Sequence, residues 1–311
     1  MRHRGRVGAT ALAAALGVAA CGSAQKPPPE EPAAPPPLCS YATRSEGTSA
    51  EARTLAIATW FAFLLPGYKL ATGEVTRPLT NCTGQAVRWS YANSECPDLE
   101  ADLAYLPPVP VKTDDLVLSS TSKLERLVWA GPDRLSDGES EGPVVLAEFT
   151  EKAVAVRAIG TLRALPGRAK LRLVTVQNRP LLVAEGEHCP EGPGNKCFRG
   201  TRLLVQSGQR FQPEPLRRED GGCMEPAFFP LARLQTIKTK DGTRQQVKLS
   251  SKLEFVPDRV LVHEEVEVHE LQGSTVGRLV RLAQADRVIR VRAGKLYASD
   301  ASLWNRMLHE Q

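Results

Sequence analysis

Short runs of aliphatic residues, bounded by Gly, Pro, Asn, Asp or Ser, recur along the chain from residue 144 onward. Short apolar runs between turn-forming residues are typical of β-strands, because a buried helix would need a longer stretch with a period of 3.6 residues. The predicted strands are 144–149, 153–159, 171–176, 181–184, 201–206, 247–255, 260–268 and 288–291.

Short turns between neighbouring runs indicate that the strands are antiparallel. Ser207-Gly208 and Asp241-Gly242 each separate two strand-forming segments, and Asp-Gly in this position is a strong hairpin signal. Strands do not alternate with long helices, which argues against a doubly wound α/β fold. The predicted fold is therefore mainly β, an antiparallel sandwich or meander with one or two short helices. A propeller-like array is the alternative, because strands that begin with Arg recur, although at irregular spacing.

Two helices are predicted outside these strands. Thr48 and Glu51 fit a capping box ahead of an apolar segment over 52–65, although the aromatic residues there would suit a strand equally well. Ser299 is the predicted N-cap of a second, amphipathic helix near the C-terminus. Its apolar face is formed by Leu303, Met307 and Leu308.

The first 20 residues have the pattern of a secretory signal. Three arginines precede an apolar stretch over 11–20, which is too short for a transmembrane helix of about 20 apolar residues. The stretch ends in Val18, Ala19 and Ala20, directly before Cys21. This ending resembles the lipobox of bacterial lipoproteins.

The lipobox resemblance implies an address in the cell envelope. It implies that residues 1–20 are removed as a signal peptide and that Cys21 receives a diacylglyceryl group and further acylation, such as palmitate. The lipid anchor would then bind the protein to a membrane. Gly22 stands where an Asp would favour the inner membrane, so we expect the outer membrane, with the protein facing the periplasm. The resemblance does not extend into the mature domain.

A proline-rich segment follows the lipobox. Residues 22–38 contain seven prolines and no aromatic residue. Such a segment favours extended polyproline II, at roughly 3.1 Å per residue. We therefore expect a lipid anchor and tether over 21–46 and a disulfide-stapled, β-rich periplasmic domain over 47–311, which could comprise two subdomains.

The charge balance narrows the choice of partners. The chain has 40 Lys and Arg residues against 35 Asp and Glu residues, a net charge of +5. Three of the basic residues, Arg2, Arg4 and Arg6, belong to the signal segment. The mature chain therefore lacks the strong basic excess of nucleic-acid-binding proteins, and no nucleic-acid partner is expected. No cofactor is predicted.

The even number of cysteines after Cys21 indicates disulfide bonds in an exported protein. These residues are Cys39, Cys82, Cys96, Cys189, Cys197 and Cys223. Proximity favours Cys82–Cys96 and Cys189–Cys197, which leaves Cys39–Cys223, although other pairings stay open. Cys189–Cys197 has the best support, because a turn-forming segment rich in Pro and Gly lies between the two residues.

Two patterns could indicate a hydrolase. Residues 138–142 match the G-x-S-x-G motif, in which the serine lies on a tight turn between a strand and a helix. A polar loop precedes Ser140 and a β-forming run follows Pro143, so we predict a polar surface turn and no catalytic residue. His188 adjoins Cys189, but an oxidised cysteine is not a nucleophile, and we predict a loop residue.

His263, Glu265, Glu267 and His269 occupy alternate positions and so share one face of a strand. Imidazole and carboxylate groups are ligands for zinc and other divalent metals. The two histidines are separated by about 20 Å along an extended strand, too far for one ion without a bulge. We therefore predict a solvated strand face and no metal site.

Two oppositely charged segments follow each other near the C-terminus. They are the acidic segment 253–270 and the basic segment 276–295. A basic patch for lipopolysaccharide phosphates is one interpretation of the second. We favour a hairpin with a two-residue turn at 272–273, in which the segments pair and neutralise each other. This register places Glu267 opposite Arg278 and Glu264 opposite Arg281.

Together these patterns favour a membrane-anchored, non-catalytic envelope lipoprotein that binds or scaffolds another envelope protein or a cell-wall component. The alternative is a periplasmic hydrolase with an active site of unfamiliar composition. A deep pocket with convergent His and carboxylate groups would favour the enzyme, whereas an exposed apolar patch would favour the binding module.

Overall fold

The computed structural model describes residues 35–43, 54–91, 96, 99, 104–190, 197–240 and 242–309. The signal segment, Cys21, most of the tether and the predicted capping box at Thr48 and Glu51 lie outside the described residues. The chain over Pro36–Gln311 forms one compact unit.

Strands account for most of the described residues. They are β1 (Ser40–Ala42), β2 (Tyr68–Lys69), β3 (Glu74–Val75), β4 (Leu116–Ser120), β5 (Glu125–Ala130), β6 (Asp133–Arg134), β7 (Ser140–Phe149), β8 (Ala153–Ala164), β9 (Gly167–Val176), β10 (Arg179–His188), β11 (Phe198–Ser207), β12 (Arg210–Pro213), β13 (Leu216–Arg217), β14 (Cys223–Glu225), β15 (Phe228–Lys238), β16 (Arg244–Val256), β17 (Arg259–Gln272), β18 (Thr275–Arg292) and β19 (Lys295–Ala298). The helices are α1 (Ile57–Leu64) and α2 (Leu303–His309), with a 3-10 turn at Thr113–Asp115.

The predicted mainly-β fold is confirmed, and each of the eight predicted strands lies within an observed one. Within the described residues, seventeen strands join in one mixed sheet, and β2 pairs only with β3. The strands β15 to β19 follow one another as an antiparallel meander. Among the strands that the structure describes, parallel pairing is confined to β8 with β12 and β13 with β19. A propeller-like array does not describe this arrangement, because propeller blades are separate sheets.

The sheet folds into layers, and β10 is buried on both of its faces. Leu181 and Val183 pack in an apolar cluster with residues of β17, β18 and β19. Leu182 and Ala184 point the other way, into a cluster with residues of β5, β7 and β8. A strand between two layers needs apolar side chains at every position, which explains the continuous run over 181–184.

Helix α1 covers the outer face of β5, β7 and β8. Trp60, Phe61 and Leu64 are buried there against Val145 and Val156. The predicted helix is confirmed, although it begins at Ile57. Within the described part of the chain, no helix is both long and apolar enough to cross a membrane.

Helix α2 begins later than predicted, and Ser299 is not its N-cap. Ser302 Oγ accepts a hydrogen bond from Asn305 N at 3.3 Å. Ser299 instead continues the pairing of β19 with β18, since its Oγ accepts from Val288 N at 3.1 Å. The predicted apolar face is present as far as the structure describes it, because Leu303 and Met307 are buried against β16 and β17.

Both predicted hairpins form, and the turn of the first lies one residue later than predicted. Ser207 pairs with Arg210, so the first turn is Gly208-Gln209. In the second hairpin Thr239 N donates to Thr243 O at 2.9 Å, and Asp241 of the predicted turn lies outside the described residues. Gly242 has φ +88°, a conformation that glycine adopts without steric cost.

Three disulfide bonds connect the six described cysteines. They are Cys39–Cys82, Cys96–Cys223 and Cys189–Cys197. The Cys189–Cys197 prediction is confirmed. Cys189 directly follows His188, and Cys197 directly precedes Phe198. Because His188 and Phe198 pair across β10 and β11, the disulfide bond closes a hairpin.

The predicted pairs Cys82–Cys96 and Cys39–Cys223 are wrong. Cys39 and Cys82 are distant in sequence but both pack against the apolar cluster under α1, which brings them together. Cys96 is buried and bonds to Cys223 at the start of β14. Tertiary packing, not proximity along the chain, selects these two bonds.

Candidate functional site: the β17–β18 arm

Strands β17 and β18 form a long hairpin that packs against the hydrophobic core only along part of its length. On β17 the even-numbered residues from Val260 to Val268 are buried, with the period of two expected for a strand with one inward face. Val266 and Val268 pack against Leu303 and Met307 of α2. Beyond Val268 this burial stops. We call residues 269–282 the arm. It contains the end of β17, the turn and the start of β18.

The arm exposes four aliphatic side chains close together in sequence. Val276, Leu279, Val280 and Leu282 have exposed fractions of 45%, 50%, 49% and 52%. Single exposed aliphatic residues are ordinary, but a contiguous group of them marks an interaction surface. The group lies on β18, between the turn and the point where α2 begins to cover the strand.

The outer edge of β18 is open beside these residues. β19 pairs with β18 only over 289–292. Val288 N donates to Ser299 Oγ and Val288 O accepts from Ser299 N, so the backbone groups of Val288 point away from β17. Because this direction alternates along a strand, those of Asp286, Gln284 and Leu282 point the same way. No other described strand pairs with this part of the edge.

The predicted hairpin forms, but its turn lies one residue later than 272–273. Gln272 pairs with Thr275, which makes Gly273-Ser274 the turn. Gly273 has φ +65°, which favours glycine at the first position of a two-residue hairpin turn.

The predicted charge pairing within the hairpin is wrong in register. The later turn moves the partner of each β17 residue by two positions, and shifts between residues 268 and 271 add two more residues to β18. Glu267 therefore lies opposite Leu282 and not Arg278. Arg278 instead donates to Glu270 at 3.1 Å. Such bulges bend the bulged strand and increase its local twist.

Glu264 lies opposite Ala285 and not Arg281, so this second predicted pair is also wrong. The partner of Glu264 is Arg287, which donates to it at 3.0 Å and also binds Glu225. All three charged groups are buried. Burial raises the pKa of Glu264, and the charge of Arg287 acts in the opposite direction.

The two buried carboxylates hold the start of α2. Leu303 N donates to Glu264 at 2.9 Å, and Ser302 N donates to Glu225 at 3.2 Å. The Asn305 side chain also donates to Glu225, at 3.1 Å. This cluster is structural, because its polar groups bind one another and the backbone.

The predicted polar face of β17 is present, opposite the buried valines. His263 Nδ1 contacts Asp286 at 2.8 Å, and His269 Nε2 contacts Glu267 at 3.1 Å, so the two histidines belong to separate pairs. The hydrogen bond from His269, with a smaller contribution from Lys248, lowers the pKa of Glu267. Among the described residues, no group of three His, Cys, Asp or Glu side chains could hold a metal ion.

Two described cavities are lined by polar residues. One, of about 280 Å³, lies beside β9, β10 and β11, and its carboxylates are paired, Arg199 with Glu185 at 2.7 Å and Arg168 with Glu187 at 3.0 Å. The other, of about 360 Å³, lies on the polar face that contains His263. Two serines, Ser250 and Ser251, also line the second cavity, and Ser251 Oγ makes no hydrogen bond with a described residue.

Ser140 is buried at the start of β7, and a strand follows it. The prediction of a polar surface turn is therefore wrong, although the strand–turn–helix geometry of a serine hydrolase is also missing. Packing explains both glycines of the motif. Gly138 has φ +87° and contacts His188, and a Cβ on Gly142 would collide with the carbonyl of Ala130.

His188 is the last residue of β10 and lies opposite Phe198, so the predicted loop position is wrong. Its ring stands edge-on to Phe198, with centroids 6.4 Å apart. Cys189 is bonded to Cys197 and is therefore not a free thiolate.

The acidic residues beside Ser140 have structural partners. Glu139 lies between Arg163 and Arg202, and Arg202 donates to it at 2.8 Å. Glu141 accepts from Trp89 N at 3.0 Å and from the Tyr105 hydroxyl at 3.1 Å. Burial raises the pKa of Glu141, and burial together with the charge of Glu141 raises the pKa of Tyr105 to about 12.

The exposed aliphatic residues of the arm were not predicted as a site. Strict alternation would place one of Leu279 and Val280 in the core, yet both are exposed. Two consecutive aliphatic residues in a strand that otherwise alternates are the sequence signal for this surface.

No protein-family model, curated protein or solved structure matches this chain. Function is therefore inferred from the geometry of its own residues.

Proposed function

We propose that this chain is an envelope lipoprotein, anchored through Cys21, whose β-domain is a non-catalytic binding module that docks on another envelope component through the arm. The observation that carries the proposal is the coincidence of exposed aliphatic side chains with an open strand edge at 276–286. Unpaired edge groups are templates for an incoming strand, and the side chains beside them would supply apolar contact.

Two chemical features, the lipobox at Cys21 and the disulfide bonds, support the envelope location. The lipobox resemblance at Cys21 predicts export and a lipid anchor. Three disulfide bonds join the six described cysteines, and such bonds persist in oxidising compartments outside the cytoplasm. Two or more acyl chains on Cys21 would be needed for a stable anchor, because a single chain binds membranes only reversibly.

Site-specific photocrosslinking in intact cells tests the docking surface. A photoreactive amino acid at Leu279 should give a crosslinked product, because this side chain would be covered by the partner. The same residue at Leu118 on β4 is the matched control, since Leu118 is an exposed leucine outside the arm. Equal yields at the two positions would contradict docking through the arm.

Fractionation of Cys21→Ala tests the anchor separately. The wild-type protein should take up labelled fatty acid and sediment with membranes. The variant should lose the label and leave the membrane fraction. Labelling that persists in Cys21→Ala would overturn the lipoprotein assignment without affecting the photocrosslinking result.

A further inference from the structure

Residues 106–112 form an exposed, proline-rich segment with the sequence Leu-Pro-Pro-Val-Pro-Val-Lys. The side chains of Leu106 and Val109 have exposed fractions of 46% and 40%, and the three prolines are exposed as well. A contiguous group of exposed apolar side chains marks an interaction surface, whereas single ones do not. This surface lies outside the arm and goes beyond the proposed docking function.

Both ends of this segment are fixed to the fold. Leu106 N donates to Arg134 O at 2.8 Å, at the end of β6. Val111 N donates to Gly73 O at 2.9 Å, beside the start of β3. Because the segment is held at both ends, it loses little conformational entropy when a partner binds.

The prolines restrict the backbone between these two ends to extended conformations. Each proline ring fixes φ at about −65°, and the residue before a proline is kept out of the α-helical region. Leu106, Pro107 and Val109 each precede a proline, so the restriction covers the whole stretch 106–110. These residues accordingly belong to no helix or strand. They favour polyproline II, which has three residues per turn and no internal hydrogen bonds.

A period of three residues places the side chains on three edges of this extended helix. Two neighbouring edges carry a repeated aliphatic–proline pair and the lysine that follows it, which are Leu106-Pro107, Val109-Pro110 and Lys112. The second pair lies about 9 Å beyond the first, and the lysine lies about 6 Å beyond the second pair. A partner therefore meets two similar apolar projections and then a positive charge.

The third edge attaches the segment to its own fold. Val111 lies on this edge and is partly buried against the apolar cluster under α1. Pro108 shares the edge but lies in the middle of the segment and stays exposed. Because the fold contacts the segment through Val111 and through the two ends, the other two edges are accessible to a partner.

We infer that this segment is the ligand of a protein domain with an aromatic-lined groove, bound in the mode that SH3 domains use for proline-rich segments. Each aliphatic–proline pair packs between aromatic side chains of the groove. Lys112 faces a carboxylate of the partner, and this contact fixes the direction of the segment in the groove. Because polyproline II is formed before binding, a short segment is sufficient for recognition.

A strand-adding partner and a membrane surface both fit the segment less well. The three prolines have no backbone N–H, so the segment cannot supply the donors of a regular strand pair. Binding to an anionic membrane surface takes a cluster of basic residues, and Lys112 is the single basic residue of this segment. The residues present therefore favour an aromatic-lined groove.

Titration with a purified SH3 domain tests the inference. The probe is a recombinant SH3 domain that binds proline-rich ligands ending in a basic residue, and the full-length protein is titrated into it in detergent. We expect saturable binding. Pro107→Ala and Pro110→Ala should each weaken it about tenfold, because each removes one ring from the groove. Pro108→Ala, on the third edge, is the matched control and should bind like the wild type.

Charge reversal tests the contact with the acidic side chain of the groove. Lys112→Glu should weaken binding about tenfold, because two negative charges then oppose each other. This loss should diminish at high salt, which screens exposed charges. Lys152→Glu, at an exposed lysine outside the segment, is the matched control.

The prolines of the tether are present in every variant, so differences among the variants report on residues 106–112 alone. Equal melting temperatures of the variants and the wild type would show that a loss of binding is not a loss of folding. Absence of saturable binding would overturn the inference. Binding that Pro107→Ala, Pro110→Ala and Lys112→Glu all leave unchanged would overturn it as well.

Discussion

The guanidinium of Arg287 on β18 donates to the carboxylate of Glu264 on β17 at 3.0 Å, with 1% and 2% of the two side chains exposed. Glu225 binds the same guanidinium from β14. An arginine and two carboxylates buried together join three strands to α2, through backbone groups that donate to both carboxylates. The cost of burying these charges is offset only while all partners are present.

Removal of Arg287 should therefore destabilise the fold strongly. Arg287→Met keeps much of the side-chain volume but leaves Glu264 and Glu225 buried without their cation. The free energy of unfolding should fall by about 3–5 kcal/mol. Urea denaturation checks this, with Arg290→Met on the same strand as the control. Arg290 pairs with Glu219 at the surface, where an ion pair contributes about 0–1 kcal/mol. Equal losses for the two variants would contradict a structural role of the buried cluster.

Stability should depend on pH through Glu141. Burial raises the pKa of this carboxyl in the folded state, so the folded chain holds the proton more tightly than the unfolded chain. The contribution of Glu141 to the free energy of unfolding therefore falls as pH rises from the pKa in the unfolded chain, near 4.5. It levels off above the pKa in the folded chain. Glu141→Gln cannot ionise and should lose less stability than wild type over this range.

Denaturation at several pH values checks the effect of Glu141. Glu74→Gln, at an exposed position, is the control and should follow the wild-type profile. Tyr105→Phe removes a hydrogen bond to the ionised carboxylate, so it should raise the pKa of Glu141 further and steepen the loss of stability. A Glu141→Gln profile parallel to that of wild type would rule out this carboxyl as the source.

The disulfide bonds should differ in their contribution to stability. Cys189–Cys197 spans 8 residues and Cys96–Cys223 spans 127. In the chain-entropy model the longer loop restricts the unfolded chain more, so replacing both cysteines of Cys96–Cys223 with alanine should cost about 2 kcal/mol more than replacing those of Cys189–Cys197. Thermal or chemical denaturation of the two double variants measures this order. The reverse order would show that native contacts, not loop length, dominate.

A methyl group at Gly142 should be poorly tolerated. A Cβ there would overlap the carbonyl oxygen of Ala130 on β5, and backbone cannot move aside as a flexible side chain can. Gly142→Ala should lower the free energy of unfolding by about 1–3 kcal/mol or more. Gly222→Ala is the control, because its nearest neighbour is the Asp220 side chain and the expected change is about 0.5 kcal/mol or less.

Local sequence patterns were sufficient for the strands and for one disulfide bond. Each aliphatic run predicted a strand because alternation and β-branched side chains are properties of a few consecutive residues. The Cys189–Cys197 bond followed from a short turn-forming loop, which needs no knowledge of distant segments. The antiparallel hairpin of β17 and β18 was predicted for the same reason.

Long-range pairings depended on the tertiary structure. Cys39 meets Cys82, and Cys96 meets Cys223, because packing brings distant segments together. Ser140 is buried because β7 pairs with β8, although the residues next to it in the sequence are polar. Such contacts join residues whose separation along the chain carries no local signal.

For the arm, too, the sequence determined some properties and the tertiary structure determined others. The sequence determined that residues 260–268 alternate and that an aliphatic, arginine-rich strand follows. It could not determine the register, because the position of the turn and the bulges near His269, which together place Glu267 opposite Leu282 instead of Arg278, depend on how the two strands twist. Nor could it determine exposure, since Leu279 and Leu282 are as apolar as any core residue. They are exposed because α2 covers the hairpin only as far as Val268, and where a helix packs is a property of the folded chain.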